Sequence, residues 1–204
     1  MVFRQFLVAL SILLTTAQSF AYFSTIDTGD LLERGKYRAI LEPQIILDRY
    51  DGLNFVGRFD SGLTEDANVR ALVGFGKVDF QMGGFFKYVP FPDVDKQPAI
   101  GGEAGILYAR VNGETEFSLR IHPLVSKKFA TEIGDLTPYV SLPLGITNRA
   151  SDTFVPVQLV GGSEWKTLKW DNLRFFAEVG LNINHSFGYI SGAVAYYFDD
   201  PTGH

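Results

Sequence analysis

Side chains able to support acid–base or metal chemistry are few in this chain of 204 residues. It contains three histidines, His122, His185 and His204, and no cysteine. The lack of cysteine excludes a disulfide scaffold, a thiol nucleophile and cysteine-based zinc sites. The histidines do not have the spacing of a metal-binding pair, and no nucleophile-elbow motif is present. We therefore predict no metal site, no cofactor and no catalytic residue.

One segment does combine the residue types of a hydrolase. Asn184-His185-Ser186 follows Glu178 closely, and a hydroxyl, a base and a carboxylate are the groups that acyl transfer needs. However, adjacent His185 and Ser186 point to opposite faces of an extended strand. A polar turn and a buried carboxylate are the simpler interpretation, and an outer-membrane lipid hydrolase is kept as an alternative function.

A larger group of charged residues occupies alternate positions of predicted strands. It holds six cations, five of them arginine, and six carboxylates, whereas other lysines, such as Lys87, fall in loops or at strand ends. Arginine suits buried, forked pairing with carboxylates. The pattern predicts a neutral, ion-paired lumen formed by Arg38, Glu42, Arg58, Asp60, Arg70, Lys77, Asp79, Glu103, Glu116, Arg120, Arg174 and Glu178.

Alternation with a period of two identifies the elements that must position these charges. Apolar and polar residues alternate from Leu173 to Asn184, for example, as they do in a strand with two different faces. Most such segments reach the 9 to 11 residues of a tilted transmembrane strand. About ten strands are predicted, near 36–47, 53–60, 68–76, 78–87, 99–110, 114–124, 137–147, 155–163, 173–184 and 186–198.

The alternation alone does not say which face lies outside, because a soluble barrel has the same pattern turned inside out. The balanced charges and the aromatic residues near strand ends favour a membrane barrel. We therefore predict an all-β, antiparallel transmembrane β-barrel of about 8–10 strands in one domain. A soluble periplasmic, lipocalin-like ligand-binding barrel is the alternative. Short helices are expected only at 25–34 and 163–170.

Residues 1–21 have the features of an export signal. Arg4 precedes an apolar run over 6–14, and Ser19 and Ala21 are the small residues of a cleavage site. Cleavage is expected after Ala21, which leaves 22–204 as the barrel domain. The formal net charge of −5 gives no electrostatic basis for binding nucleic acid.

The C-terminal strand carries a family resemblance. Residues 191–198, with Tyr196 and Phe198, resemble the assembly signal of small bacterial outer-membrane β-barrels, although six more residues follow. That resemblance implies a Gram-negative outer membrane and handling by the barrel-assembly machinery. Residues 35–38, 88–93 and 124–129 are similar to a porin-like family of predatory bacteria. This second resemblance implies homo-oligomers that hold membrane lipid between subunits, in a structural or lipid-contacting role without catalysis.

Two groups of residues are expected on the outer surface. Small residues allow close packing within a membrane, and this predicts subunit or lipid contact at Gly74, Gly76, Phe80, Gly83, Gly84, Gly101, Gly102, Gly105 and Leu107. Trp165 and Trp170 are expected to anchor the barrel at the membrane interface.

Two features conflict with a standard barrel. With both termini in the periplasm, the tight turns near 48–52, 76–77, 111–113 and 184–186 would face outward, although short turns are usually periplasmic. In addition, Pro138 and Pro143 fall within one predicted strand, where proline is expected only at edges or bulges. Either the strand count is off by one, a short segment is missed, or the barrel is not a simple closed one.

Overall fold

The computed structural model describes residues 24–47, 51–150 and 152–199, so the predicted signal peptide lies outside the described residues. These ranges contain no helix, and none that could cross a membrane. The short helices expected at 25–34 and 163–170 are therefore wrong: residues 24–34 are irregular, and 163–167 continue a strand. The strands are β1 (Lys36–Ile46), β2 (Gly52–Gly62), β3 (Ala67–Gly76), β4 (Phe80–Phe91), β5 (Ala99–Val111), β6 (Glu114–Ser126), β7 (Phe129–Thr131), β8 (Gly134–Ser141), β9 (Leu144–Arg149), β10 (Asp152–Phe154), β11 (Val157–Thr167), β12 (Leu173–Asn184) and β13 (Tyr189–Asp199).

These strands form one closed antiparallel sheet. The ladder runs from β1 through β6, continues through β8 to β13, and closes where β13 pairs with β1. β8 and β9 are two halves of one wall strand, and β10 and β11 are two halves of the next, whereas β7 pairs only with β8. The wall therefore has ten strands. The prediction of an antiparallel barrel of about 8–10 strands is confirmed.

Prolines cause the two interruptions of the wall. β8 and β9 are separated by Leu142 and Pro143, and β10 and β11 are separated by Val155 and Pro156. The two breaks lie opposite each other: the Pro143 carbonyl accepts a hydrogen bond from Gln158 N at 3.0 Å, and the Pro156 carbonyl accepts one from Gly145 N at 3.2 Å. Proline has no N–H to donate, so each break lacks one ladder hydrogen bond. Because the two breaks face each other, no N–H of a regular strand loses its partner there.

The barrel is apolar outside and polar inside. On β6, Phe117, Leu119 and Ile121 face outward and are about half exposed, while Glu116 and Arg120 face inward and are buried. The outward apolar positions from Phe117 to Val125 extend ~27 Å along the strand, or ~21 Å after a tilt of about 40°. This height suits the hydrocarbon part of a membrane. The fold is that of a transmembrane β-barrel, and a soluble lipocalin-like barrel would have the opposite polarity.

Several glycines make room for large side chains in the lumen. A Cβ at Gly180 would lie 2.0 Å from the ring of Tyr189, its cross-strand partner. A Cβ at Gly162 would likewise lie 2.4 Å from the ring of its partner Tyr139. These glycines let aromatic rings lie flat against the neighbouring strand, which lets a narrow barrel be filled.

This packing corrects the predicted outer contact surface. Leu107 is buried and faces the lumen. Gly101 and Gly105 face the lumen too, because they occupy alternate positions of the same strand in phase with Leu107. The lumen-facing members of the predicted set are Gly74, Gly83, Gly101, Gly105 and Leu107. Gly76 ends β3 with a φ of 130°. Only Phe80, Gly84 and Gly102 lie at outward positions.

The two ends of the barrel differ. We call the end that holds Lys36 and Asp199 the terminal end, and the opposite end the distal end. The tight turns 77–79 and 112–113 are distal, whereas the long connection 92–98 and the extra strand β7 are at the terminal end. Because the wall has an even number of strands, the unusual placement of short turns does not come from a miscount.

Replacing a lumen-facing glycine should destabilise the barrel. A Cβ at position 105 would lie 2.2 Å from the Gly84 carbonyl and 2.6 Å from the Phe85 ring, so Gly105→Ala must displace backbone. We expect a loss of about 1–3 kcal/mol, measured by urea unfolding in detergent micelles. Gly161→Ala is the matched control, because nothing lies within 4 Å of its Cβ position. Equal stability of the two variants would contradict this account of the lumen glycines.

Candidate functional site

The lumen is occupied by the chain itself. Residues 24–30, which we call the lumen segment, enter from the terminal end, and Ser24 to Gly29 are buried inside the barrel. A Cβ at Gly62 would lie 2.1 Å from the Glu33 carbonyl, so glycine is needed where the chain crosses the rim. Among the described residues, the stretch 24–36 makes one backbone–backbone hydrogen bond outside the strands, from Lys36 N to Glu33 O, and none of residues 24–30 takes part in it. Side chains of the wall therefore hold the segment.

Asp27 is the charge by which the segment is held. Its carboxylate lies 2.9 Å from an Arg38 nitrogen, 3.0 Å from Lys87 Nζ and 3.3 Å from an Arg70 nitrogen. All four side chains are buried. Cations from β1, β3 and β4 thus converge on one carboxylate, which supplies the compensation that buried charges require.

The same arginines extend the network into the wall. Asp60 lies 2.5 Å from Arg38 and 2.6 Å from Arg70. Arg70 also binds Glu103 at 3.1 Å, and Glu103 lies 2.8 Å from His122 Nδ1. With Asp27, three carboxylates meet three cations at the centre of the lumen, and the wall supplies only two of those carboxylates.

A second polar cluster surrounds Ser24. Arg58 forms an ion pair with Glu42 at 2.6 Å and donates to both the carbonyl and the hydroxyl of Ser24. Gln44 Nε2 donates to the Ser24 hydroxyl at 2.7 Å, and Asn54 Nδ2 donates to Gln44 Oε1 at 2.9 Å. The inner end of the segment is thus tied to β1 and β2.

Glu178 binds the backbone of the segment instead of a cation. Its two oxygens accept hydrogen bonds from Thr25 N at 3.0 Å and Ile26 N at 2.6 Å. The hydroxyls of Tyr139 and Tyr189 donate to the same carboxylate at 2.7 and 2.5 Å. Glu178 was expected in an ion pair, and its partners here are amides and hydroxyls.

Ile26 provides the apolar contact of the lumen segment. Its side chain is fully buried and belongs to a cluster on the inner wall. That cluster comes mainly from the second half of the chain, whereas the cations that bind Asp27 come from the first half. Its other members are Ile40, Leu124, Tyr139, Val160, Phe176, Ala193 and Ala195.

At the terminal end, ion pairs connect the segment to two loops. Asp30 pairs with Lys128 at 2.9 Å, and its carbonyl accepts from Lys87 Nζ at 2.6 Å. Asp93 accepts from Lys127 Nζ and from Lys128 N. Desolvation raises the pKa of Asp93, but these hydrogen bonds and the lysine charges outweigh it and hold the pKa below its usual range. The 92–98 loop therefore positions the lysine that binds the segment.

The distal end of the lumen is closed by apolar residues. Ile46 of β1, Val111 of β5, and Val78 and Phe187 of two distal turns pack together and are buried. Ala109 completes this group, which we call the distal apolar cluster. Because β1 and β5 lie on opposite sides of a ten-stranded wall, their contact extends across the lumen. A cavity of about 10 Å³ lies next to Ser24 and is lined by residues that include Arg58, Gln81 and His122. It has room for about one water molecule.

Some predicted lumen residues lie elsewhere. Lys77 and Asp79 are in the turn between β3 and β4, because that turn extends over 77–79 and ends the alternation. Asp79 accepts a hydrogen bond from Gly113 N at 3.0 Å in the next turn. Arg174, in contrast, faces inward in phase with Phe176 and Glu178, at the mouth of the lumen. It lies 3.5 Å from the buried Glu164, and its guanidinium is 4.9 Å from the Tyr197 ring.

The remaining predicted charges are inside the barrel, together with some that the sequence did not identify. Glu116 and Arg120 are buried, and Glu116 pairs with Arg149 at 2.8 Å. Asp27 and Lys87 were missed. Lys87 shares the phase of buried Gln81, Phe85 and Val89 on β4, a signal that its place near a strand end concealed.

The residues considered for a hydrolase are spread along one hairpin. His185 lies in the distal turn with a φ of 47°, and its ring is 6.1 Å from that of Phe154. Glu178 faces the middle of the lumen, where four donors occupy its carboxylate. This arrangement suits a structural role of Glu178.

Aromatic residues form a group near the terminal end. Trp165 and Trp170 have rings 5.8 and 6.0 Å from that of Phe175, and both are partly exposed on the outside. Lys169 Nζ lies 5.5 Å from the centre of the Trp170 ring. Rings and an ammonium group at one level are typical of a membrane–water interface, and the role of Trp165 and Trp170 as interface anchors stays a prediction.

Comparisons with solved structures give distant likenesses, three of which follow with their identity, coverage and TM-score. No protein-family model and no curated protein matches the chain. A structure described as "De novo design of transmembrane beta-barrels" is 13% identical over 83% of this chain and all of that chain, with a TM-score of 0.42. The β domain of the Bordetella autotransporter BrkA is 12% identical, covering 80% and 98% of the two chains, with a TM-score of 0.44. The siderophore receptor PirA from Pseudomonas aeruginosa is 16% identical, covering 83% and 31%, with a TM-score of 0.30. The assignment as a transmembrane barrel therefore rests on the geometry described above.

Removing the Asp27 charge should destabilise the barrel strongly. Asp27→Ala leaves Arg38, Arg70 and Lys87 with one carboxylate fewer inside the lumen, and breaking a buried pair in this way costs about 3–5 kcal/mol. Urea unfolding in detergent measures the loss. Glu65→Gln, in an exposed turn, is the control and should stay within about 0.5 kcal/mol of wild type. A loss for Asp27→Ala no larger than that of the control would refute the role of Asp27.

Proposed function

We propose that this chain is an integral barrel of a Gram-negative outer membrane that acts as a porin-like but closed, non-catalytic, structural or lipid-contacting component. The observation that carries the proposal is the filled lumen, in which buried ion pairs join the lumen segment to the wall across the barrel. A barrel filled in this way presents its outer surface, and not its interior, to the surroundings.

Two independent closures support a non-conducting barrel. The lumen segment occupies the terminal half, where Asp27 and Ile26 bind opposite sides of the wall. The distal apolar cluster closes the other half without any charged group. An ion would have to displace both, first ion pairs and then apolar contacts, and neither offers it a hydrated path.

The absence of catalysis is proposed from the way the polar groups are used. The buried carboxylates Asp27, Asp60, Glu103 and Glu178 have partners in the lumen network. A general base needs a free position beside the proton that it abstracts, and these oxygens are engaged with wall or segment donors. An outer-membrane lipid hydrolase is therefore the less favoured function.

The outer surface suggests what the barrel contacts. Large apolar residues occupy many outward positions all around the wall, as with Leu41, Val73, Leu119 and Val194. We propose membrane lipid and further copies of the chain as the partners of this surface, and the barrel-assembly machinery as the partner of β13 during biogenesis. The lumen-facing glycines take no part in these contacts.

The proposal predicts that wild-type protein forms no steady channel in a planar bilayer. Two closures in series should keep Asp27→Asn and Phe187→Ala nearly closed as single variants, while the double variant conducts. The measurement is single-channel conductance of purified, heat-modifiable protein, with Gly161→Ala as the control. Large, steady conductance of wild type would show that the lumen is open and would overturn the proposal.

Lipid contact and oligomerisation are tested separately. Native mass spectrometry of the protein, extracted in several mild detergents, should detect oligomers that retain lipid. A small-to-large change at an outward position, Gly84→Phe, should weaken the oligomer if strands β3–β5 are at the contact, whereas Gly161→Phe on another side should not. A lipid-free monomer in every mild detergent would contradict this part of the proposal.

A further inference from the structure

The inner wall recognises the main chain of the lumen segment almost residue by residue. Glu178 accepts from the amides of Thr25 and Ile26, and Arg70 donates to the Thr25 carbonyl at 3.0 Å. Ser126 Oγ accepts from Gly29 N at 2.8 Å. Arg58 binds the Ser24 carbonyl at 3.2 Å, and Lys87 binds the Asp30 carbonyl at 2.6 Å. Contacts of this kind fix the path of a peptide backbone whatever its side chains are, here a path that is not fully extended, since Ile26 has a φ of 37°.

Four side-chain positions add a sequence requirement. Ile26 fills the apolar cluster, so this position needs an apolar residue. Asp27 meets three cations, so the next position needs a carboxylate. A Cβ at Gly29 would lie 2.3 Å from Ala99 Cβ, so the position two residues further needs glycine. Thr28, between Asp27 and Gly29, is fully buried, so that position accepts only a small side chain. The wall is complementary to the pattern apolar–Asp–small–Gly.

From this complementarity we infer that the lumen is a peptide-binding site for segments with the pattern apolar–Asp–small–Gly, and that residues 24–30 are its resident, exchangeable ligand. The ligand class is an acidic peptide entering from the terminal end. This goes beyond a closed structural barrel, because it gives the interior a binding specificity of its own.

The way the segment is attached makes exchange physically reasonable. The wall ladder closes through β1 and β13 without any bond to the segment, so its departure breaks no strand pairing. Beside residues 29–33, the terminal end has clefts of about 480 and 310 Å³ that leave room for a chain to pass. A tethered ligand acts at an effective concentration of about millimolar. A peptide in solution should therefore compete poorly with the intact segment and well with a weakened one.

Binding of a labelled peptide to the full-length protein tests this inference. The probe is fluorescent Ser-Thr-Ile-Asp-Thr-Gly-Asp, blocked at both ends, and the readout is anisotropy in detergent. Gly29→Val weakens the resident segment without changing the wall. We expect this variant to bind the probe at least about 10-fold more tightly than wild type, and to lose this binding when Lys87→Gln is added.

Matched controls separate specific binding from uptake by detergent. A probe with Asn in place of Asp, or Val in place of Gly, should bind the Gly29→Val variant at least about 10-fold more weakly. Gly161→Val should behave like wild type, because its Cβ position meets nothing within 4 Å. If Gly29→Val does not give heat-modifiable protein, Asp27→Asn replaces it.

Two results would overturn the inference: equal affinity of wild type and the weakened variant, or equal affinity for the Asp and Asn probes. Either result leaves the closed barrel intact, since conductance tests that separately. If wild type conducts steadily and the weakened variant still binds the peptide specifically, the closed barrel is refuted and the peptide-binding inference stands.

Discussion

The structure depends on compensating charge inside a narrow, poorly hydrated barrel. Arg38, Arg70 and Lys87 face the centre of the lumen, and the wall offers them Asp60 and Glu103. One positive charge would remain without a carboxylate if the wall were alone. Asp27 supplies the missing charge. The lumen segment is thus a structural part of the barrel, since wall and segment each carry a charge that only the other neutralises.

The sequence predicts the wall well because strand alternation is a local signal. The ten strands, the outward apolar face and the inward position of Arg38, Arg58 and Arg70 all follow from a period of two. The lumen segment could not be predicted in this way. Residues 24–34 have no period, and the partners of Asp27 are up to 60 residues away in the chain. Only the folded sheet brings them together.

The errors at the glycines and at the turn have a shared cause. Glu103 and Leu107 are four residues apart on β5 and therefore face the same side of the wall. The sequence analysis placed Glu103 inside but Leu107 outside, because the many glycines near Leu107 suggested an outer groove. Lys77 and Asp79 were assigned by extending the alternation through a turn, where it has no meaning. Of the two prolines noted in the sequence, Pro143 does mark a break in the wall, whereas Pro138 lies within β8. The break beside Pro143 is aligned with one beside Pro156, which the sequence analysis did not single out.

The division of the inner wall into a charged and an apolar side also bears on the order of assembly. The side chains that bind Asp27 come from β1, β3 and β4 and are 11 to 60 residues from it in sequence. The pocket of Ile26 includes Val160 and Phe176 from β11 and β12, which are more than twice as far away. Contacts between residues near in sequence close the smaller loops and form faster. The first strands are therefore able to gather around the segment as an open, curved sheet. The later strands then complete the cylinder over a core already in place, so that the last step of closure buries apolar surface together with Glu178, whose carboxylate meets the amides of the segment.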